Sequence, residues 1–591
     1  MKFFKVFLAA LLAVVVAGII KFIFWFTALA GLMSSTESSV KVKNDSVLTL
    51  DFSEVIADAP SSNPLAGLDL MSLSSTNRIS LYDALRAIDA AAADKRIKGI
   101  YIHPSQNGGP EGWSIAEELR EALVAFKESG KFIVAYDDSF SQTEYYLASA
   151  ADKIYLQPMG SISWQGLSFT NIFFKGLFDK LGLEPEIFRP TVCKYKSAVE
   201  PYFLTKMSDA NRQQMQELAD AMWSVIGGEV AESRGMSFEQ LNTLTDKLAL
   251  CEADDALKNG FVDKLLYEDE VNAVIGELAG NEDWNEISFG DYASQVGPDV
   301  SNLSAPQVAV LYAEGGISDG NGTSSRGEDE IYGNTLAAKL ASLREDDDVK
   351  AVVVRVNSPG GSALASDVIW REMTRLREQK PVIISMGEYA ASGGYYISAP
   401  ADVIVADKLT LTGSIGVFGF MINPTEALRD KLGITFDGVK TNSSADMGAP
   451  GRKMTAEERT FMMRGVDKVY GRFTSLVAEG RNLPLERVLE IAEGRVWAGT
   501  TAREIGLADM CGGLRSAIAV AADKAGLEKF RVVEKTENAG GLAAIFSSLK
   551  VSISERIMRS ESPEAYAVMK QMREALSHSG IVMYTGVRAE Y

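Results

Sequence analysis

Histidine is nearly absent from this chain: 591 residues contain two, His103 and His578. A nucleophilic serine activated in the usual Ser-His-Asp manner would therefore have to draw on one of these two rings. Cysteine is scarce as well. Cys193, Cys251 and Cys511 are widely separated and form no CxxC pair, so neither a zinc site nor a disulfide framework is implied. Positive charge is in deficit: 59 Lys and Arg against 79 Asp and Glu leave a net charge of −20. That excludes a general nucleic-acid binder, which would carry a basic patch or stripe, and reads instead as solubility. A hydrophobic content of 46% with 23% charged residues excludes a disordered chain. A mass of 64.0 kDa exceeds what one ordinary core organises, so two or more domains are expected.

The one long apolar run lies at the start. After Lys2 and Lys5 the chain is apolar from Val6 to Met33, broken only by Lys21 and Thr27. About 20 residues suffice to cross a bilayer, and a cleavable signal peptide has an apolar core of only about 7–15. Residues 1–34 are therefore expected to be an uncleaved transmembrane signal anchor, with the leading lysines on the cytoplasmic side and the rest of the chain beyond the inner membrane. The polar stretch SSTESSVKVKNDS follows as a linker.

The remainder repeats itself. KGIYIHPSQNGG (98–109) aligns with KAVVVRVNSPGG (350–361), YYLASAADKI (145–154) with YYISAPADVI (395–404), and MGSIS (159–163) with TGSIG (412–416). DKLG recurs at 179 and 430, and ADDALKNGFVDKL (253–265) follows GTTAREIGLADMC (499–511). Five blocks in one order at an offset of about 250 residues mean two copies of one domain, at 46–298 and 306–535, with a tail at 536–591. Within each copy apolar runs alternate with helical patterns, which implies an α/β fold of parallel sheets covered by helices.

Ligands of such sheets bind at the carboxyl ends of strands. Two turns of the second copy fit that place. NSPGGS (357–362) and AASGG (390–394) both follow a strand and open a helix, and their glycines allow close approach to backbone amides. Ser392 in the second turn then has the parts of a nucleophile beside an oxyanion hole. The first copy serves as an internal control. Aligned on the YY pairs, Ser392 falls opposite Gln142 and AASGG becomes FSQTE, so the fold needs neither the serine nor its glycines.

Neither histidine supplies a convincing base: His103 aligns with Arg355 inside a strand, and His578 lies in the tail. Lysine is the other base that activates serine, provided burial lowers its pKa from about 10.4 by roughly 3 units. FRPTVCKYKSAVEPYF (188–203) of the first copy carries Lys194 and Lys196, and the second copy has VKTNSSADMGAP here, with Asp446 or Met447 opposite Lys196. The lysine survives in one copy and the serine in the other, which predicts a composite site. As residues i and i+2 the two lysines would share one face of a strand, and spacing does not choose between them. The Gly/Ser-rich loop at 319–334 reads as a mobile segment beside the groove, and REDDD (344–348) as a solvated helix end.

YKSAVEP, VNSPGGS, YAASGGYYIS, LTGSIGV and GRVWAGTTAREIGLAD together resemble the long, two-repeat form of signal peptide peptidase A, or protease IV, of peptidase family S49. The resemblance spans roughly residues 45–540 and includes the N-terminal run. It implies a tandem of Clp-protease/crotonase-like domains. It implies Ser392 as nucleophile, Lys196 as general base and acid, Ser414 as the hydroxyl that orients the lysine, and Gly361 and Gly393 as oxyanion donors. It further implies a homotetrameric serine endopeptidase on the outer, periplasmic face of a bacterial inner membrane, held in lipid by its N-terminal helix. Its substrates would be cleaved signal peptides, and it would need no metal or cofactor. Other readings of the same parts are a crotonase-like acyl-CoA enzyme, disfavoured by an exported location, and a non-catalytic membrane scaffold, which requires Lys196 and Ser392 to lie apart.

Overall fold

The computed structural model describes residues 41–60, 78–104, 108–297, 304–322 and 330–535, position 21, and the backbone of short strands at 68–69, 74–75 and 580–584. The expected transmembrane segment lies outside the described residues, as does His578. Among the described residues no helix is long and apolar enough to cross a membrane.

Runs of β-branched and apolar residues build two parallel sheets. In the first, the order is Lys264–Leu265, Lys153–Ile162, Phe132–Phe140, Ile97–Ile102, Ser46–Leu50 and Asn285–Ser288. In the second, it is Val496–Ala498, Leu411–Gly413, Val382–Ala391, Val349–Ser358, Gln307–Glu314 and Arg531–Lys535. Here only the pairing of Leu411–Gly413 with Val496–Ala498 is antiparallel. Strands such as Val349–Ser358 are buried on both faces because helices cover both sides, which is why they read as unbroken apolar runs.

The repeats are not merely strung together. The core of the first repeat takes in Leu409, Leu411, Val496 and Ala498 of the second. Above this shared core sits a buried ionic lock. The Arg355 guanidinium, fully buried, lies 2.7 Å from Asp58 and 2.9 Å from Glu118, both contributed by the first repeat. Asn357 donates to the other Asp58 oxygen at 2.8 Å, and Leu514 N–H donates to Glu118 at 2.6 Å. Two carboxylates on one bidentate donor compensate a charge that would otherwise be costly to bury.

A third, mixed sheet joins the copies. Its order is Glu184–Phe188, Phe418–Asn423, Gly580–Tyr584, Gly360–Ser362, Gly316–Ser318 and Glu330–Tyr332. Glu184–Phe188 comes from the first repeat and pairs antiparallel with Phe418–Asn423, Ile187 opposite Phe420. Nothing in the sequence of the tail announces a strand, yet Gly580–Tyr584 forms one.

Candidate active site

Ser392 ends the strand Val382–Ala391 and caps the helix Gly393–Ser398. Its backbone is at φ 56°, ψ −112°, a conformation that costs a non-glycine residue on the order of 1–3 kcal/mol. Two bonds hold the turn: Ser392 N–H donates to Gly413 O at 2.8 Å, and Tyr396 N–H donates to Ser392 O at 2.9 Å. The side chain is fully buried. A Cβ on Gly394 would meet Ser358 O at 2.6 Å, so only glycine lets this turn lie against the neighbouring strand end.

Lys196 reaches this serine from the other repeat. Its segment is a turn leading into the short helix Ser197–Val199, not the strand that would have put both lysines on one face. The turn separates them. Lys194 points outward, 2.9 Å from Glu493, while Lys196 is fully buried. Lys196 Nζ lies 2.7 Å from Ser392 Oγ, 2.8 Å from Ser414 Oγ and 3.0 Å from Ser414 O. Burial depresses its pKa to about 7, against a smaller upward pull from Cys193. Cys193 in turn is pushed up to about 11 by its own burial.

Ser414 is held at φ 50°, its N–H donating to Arg495 O at 2.7 Å. The walls around the lysine stem are glycines. A Cβ on Gly494 would stand 2.6 Å from Lys196 Cβ, and one on Gly416 would stand 3.4 Å from its Cδ. The lysine turn is pinned across the repeat boundary by Tyr195 N–H donating to Glu493 O at 3.1 Å. Gln214, on the helix Asp209–Ser233, donates to Tyr195 O at 3.0 Å and accepts from Val496 N–H at 3.3 Å. Sequence reasoning missed Gln214 and Gly494. Gly494 belongs to the quoted GRVWAGTT motif, so a signal for it existed; for Gln214 there was none.

Gly361 and Gly393 converge on the serine from two turns. A Cβ on Gly393 would lie 3.1 Å from Gly361 N, so the two backbones are neighbours. A Cβ on Gly361 would meet Ile317 O at 2.1 Å. His103 stands apart in the first repeat, its Nδ1 3.0 Å from Tyr136 O and its ring stacked on Tyr101.

The chain is similar to known proteases over most of its length. The family model "Peptidase family S49" matches it twice, at residues 125–282 and 374–528. The chain belongs to peptidase family S49. It is 35% identical to Protease 4 of Salmonella typhi over 539 residues, 88% of this chain and 84% of that one. With the chloroplastic serine protease SPPA of Arabidopsis thaliana it shares 34% identity, covering 87% and 74% of the two chains. With Protease 4 of Haemophilus influenzae it shares 36%, covering 75% and 72%. The protein is thus a serine protease of two S49 repeats. The matched regions include the turns that carry Ser392 and Lys196, one in each repeat.

Proposed function

We propose that this S49 protease is a membrane-anchored endopeptidase that degrades cleaved signal peptides with a Ser392–Lys196 dyad. The observation that carries the dyad is the 2.7 Å approach of a fully buried amine to a serine hydroxyl. A neutral amine has two N–H donors and one lone pair. With the donors on Ser414 O and Ser414 Oγ, the lone pair faces Ser392 Oγ–H. Lys196 takes that proton as Oγ attacks the peptide carbonyl carbon, and the amides of Gly361 and Gly393 bind the oxyanion. The Lys196 ammonium then gives its proton to the leaving amine, and the C–N bond breaks. Lys196 next deprotonates a water that hydrolyses the acyl-enzyme, restoring Ser392. A pKa of about 7 lets one lysine serve as base and acid near neutrality.

The remaining parts of the reading rest on the sequence and on the names of the relatives. Residues 1–34 would hold the protein in the inner membrane of a bacterium, with the repeats 46–298 and 306–535 on the periplasmic face. A homotetramer of Clp-protease/crotonase-like units would enclose the sites near the lipid surface. A serine-reactive phosphonate probe tests the dyad. Ser392 should be the residue modified, and Lys196→Ala should abolish the labelling. Modification of another serine, or equal labelling without the lysine, overturns it.

A further inference from the structure

In the first copy, the two turns that match NSPGGS and AASGG line a cavity. It holds about 450 Å³, within the range of small-ligand sites. The glycine turn at 108–112 forms one wall, and Ser141, Thr143 and Glu144 at the next helix start form another. The second copy closes the remaining side with Asn357, Glu388 and Tyr389. These residues are held in place across the repeat boundary. Tyr389 N–H donates to Asn357 Oδ1 at 3.1 Å, and Glu388 accepts from Ser114 N–H at 2.9 Å, at the start of the helix Trp113–Lys127. The cavity exists only because both copies build it.

Its lining has one sign of charge. Glu111, Glu144 and Glu388 supply carboxylates, while Phe52, Pro110 and Tyr389 supply apolar wall. Among the described residues no lysine or arginine lines it. Arg78 stands 3.2 Å from Glu111 and is shared with Glu314, so the place stays negative. Glu388 is 3% exposed, where little water screens its charge. Among the described residues no group of His, Cys, Asp and Glu is arranged to hold a metal ion, so the carboxylates suit an organic cation. Aromatic and apolar wall beside carboxylates fits a lysine or arginine, whose stem packs on apolar surface while its head keeps polar partners. In the proposed mechanism the second copy uses the matching turns for an oxyanion; the first offers the opposite sign.

The cavity adjoins the reacting centre. Tyr389 lies on the strand Val382–Ala391, three residues before Ser392, and Asn357 lies four before Gly361. At about 3.3 Å per residue, Tyr389 is within about 10 Å of Ser392, the span of three residues of an extended peptide. We propose that this cavity is a substrate subsite for a cationic group, the head of a lysine or arginine or a free amino terminus, bound about three residues from the bond cut at Ser392. This deepens the reading of the protein as a signal-peptide-degrading enzyme and rests on it for where the cut falls. A cleaved signal peptide still carries the positive segment that precedes its apolar core, so one peptide presents a cation to the first copy and apolar chain to the second.

Binding to the full-length Ser392→Ala protein tests this without turnover. The probes are short, fluorescent, acetylated apolar peptides with one lysine moved stepwise along the chain, each with a norleucine twin. Fluorescence anisotropy should find a lysine position that binds about tenfold tighter than its twin. An unacetylated peptide without lysine shows the gain instead if the amino terminus is the group held. The double change Glu144→Gln and Glu388→Gln should abolish the gain. Both are amides of the same shape, and glutamine serves as well as glutamate in a capping box, so the helix start is kept. The norleucine peptides should bind both proteins alike, which shows that the double variant is folded. Equal binding of every lysine peptide and its twin with no gain from a free amino terminus, or a gain that survives the double change, overturns the proposal. The reading of Ser392 as nucleophile fails by a different result, hydrolysis retained in Ser392→Ala.

Discussion

Gln142 and Ser392 occupy the same point in two copies of one fold. The register fixes this: Phe140 pairs with Ile162 in the first repeat as Ala390 pairs with Thr412 in the second. Around Ser392 the backbone is strained, two glycines are required, and the partner at the next strand is the small Ser414. Around Gln142 every one of these features is relaxed. A Ser141–Glu144 capping box starts the helix, and the Gln142 amide is tied to the backbone at Gly166 by bonds of 3.0 and 3.1 Å. The same register corrects the alignment of MGSIS with TGSIG, which had Ser161 opposite Ser414: Ile162 stands at the place of Thr412, so the residue in the place of Ser414 is Trp164, fully buried among Tyr145, Trp223 and Phe261. The first repeat fills the corresponding place with aromatic core and contributes Lys196 to the place beside Ser392. Strain, glycine and small hydroxyls mark the second copy; apolar filling marks the first.

The largest test of this contrast is to remove the side chains at the matching positions. Ser392→Ala and Lys196→Ala should each lower kcat at least about 10⁴-fold, while Gln142→Ala should change it less than about twofold, read by peptide hydrolysis. Comparable losses at both positions would erase the distinction. Next in size is the lock between the copies. Asp58→Ala leaves the Arg355 guanidinium short of one of its two carboxylates in a fully buried place, and should cost about 3–5 kcal/mol in urea unfolding.

The paired glycine turns sharpen the comparison further. Gly361→Ala drives a methyl into Ile317 O and should lower kcat about 10²–10³-fold, whereas Gly109→Ala, at the matching turn of the first repeat, should spare kcat. The smallest effect is on pH. In the proposed dyad Lys196 acts when neutral, and its pKa of about 7 lies below the usual lysine value. Activity (kcat/KM) should therefore rise about tenfold per pH unit below 7 and level off above about 8. The sign follows from burial: protons lost on raising pH create the base. A profile that falls over this range would require a different base.

Much of this was legible in the residues. The doubled blocks, the glycine turns and the missing serine of the first copy all survive as local pattern, and the scarcity of histidine directed attention to lysine. What was not legible is whatever depends on approach between distant segments. The Lys194/Lys196 pair was expected to share a face, but the turn into Ser197–Val199 sends Lys194 to Glu493 and Lys196 inward. Arg355 meets Asp58 nearly 300 residues away, and no periodicity encodes such a pairing. Gln214 looks like any polar residue on a long helix. The strand at 580–584 is only five residues long, too short to outweigh a helix or a loop until the strands on either side of it are known.

The lysine pocket has a consequence for the order in which the chain is made. A ribosome completes Lys196 long before Ser392, and the wall at Gly494 later still. A stalled, truncated or half-folded chain therefore owns a lysine with no hydroxyl to activate and no dry chamber to strip its proton. In the proposed dyad, hydrolytic power arrives only after the second copy has been synthesised and has closed on the first.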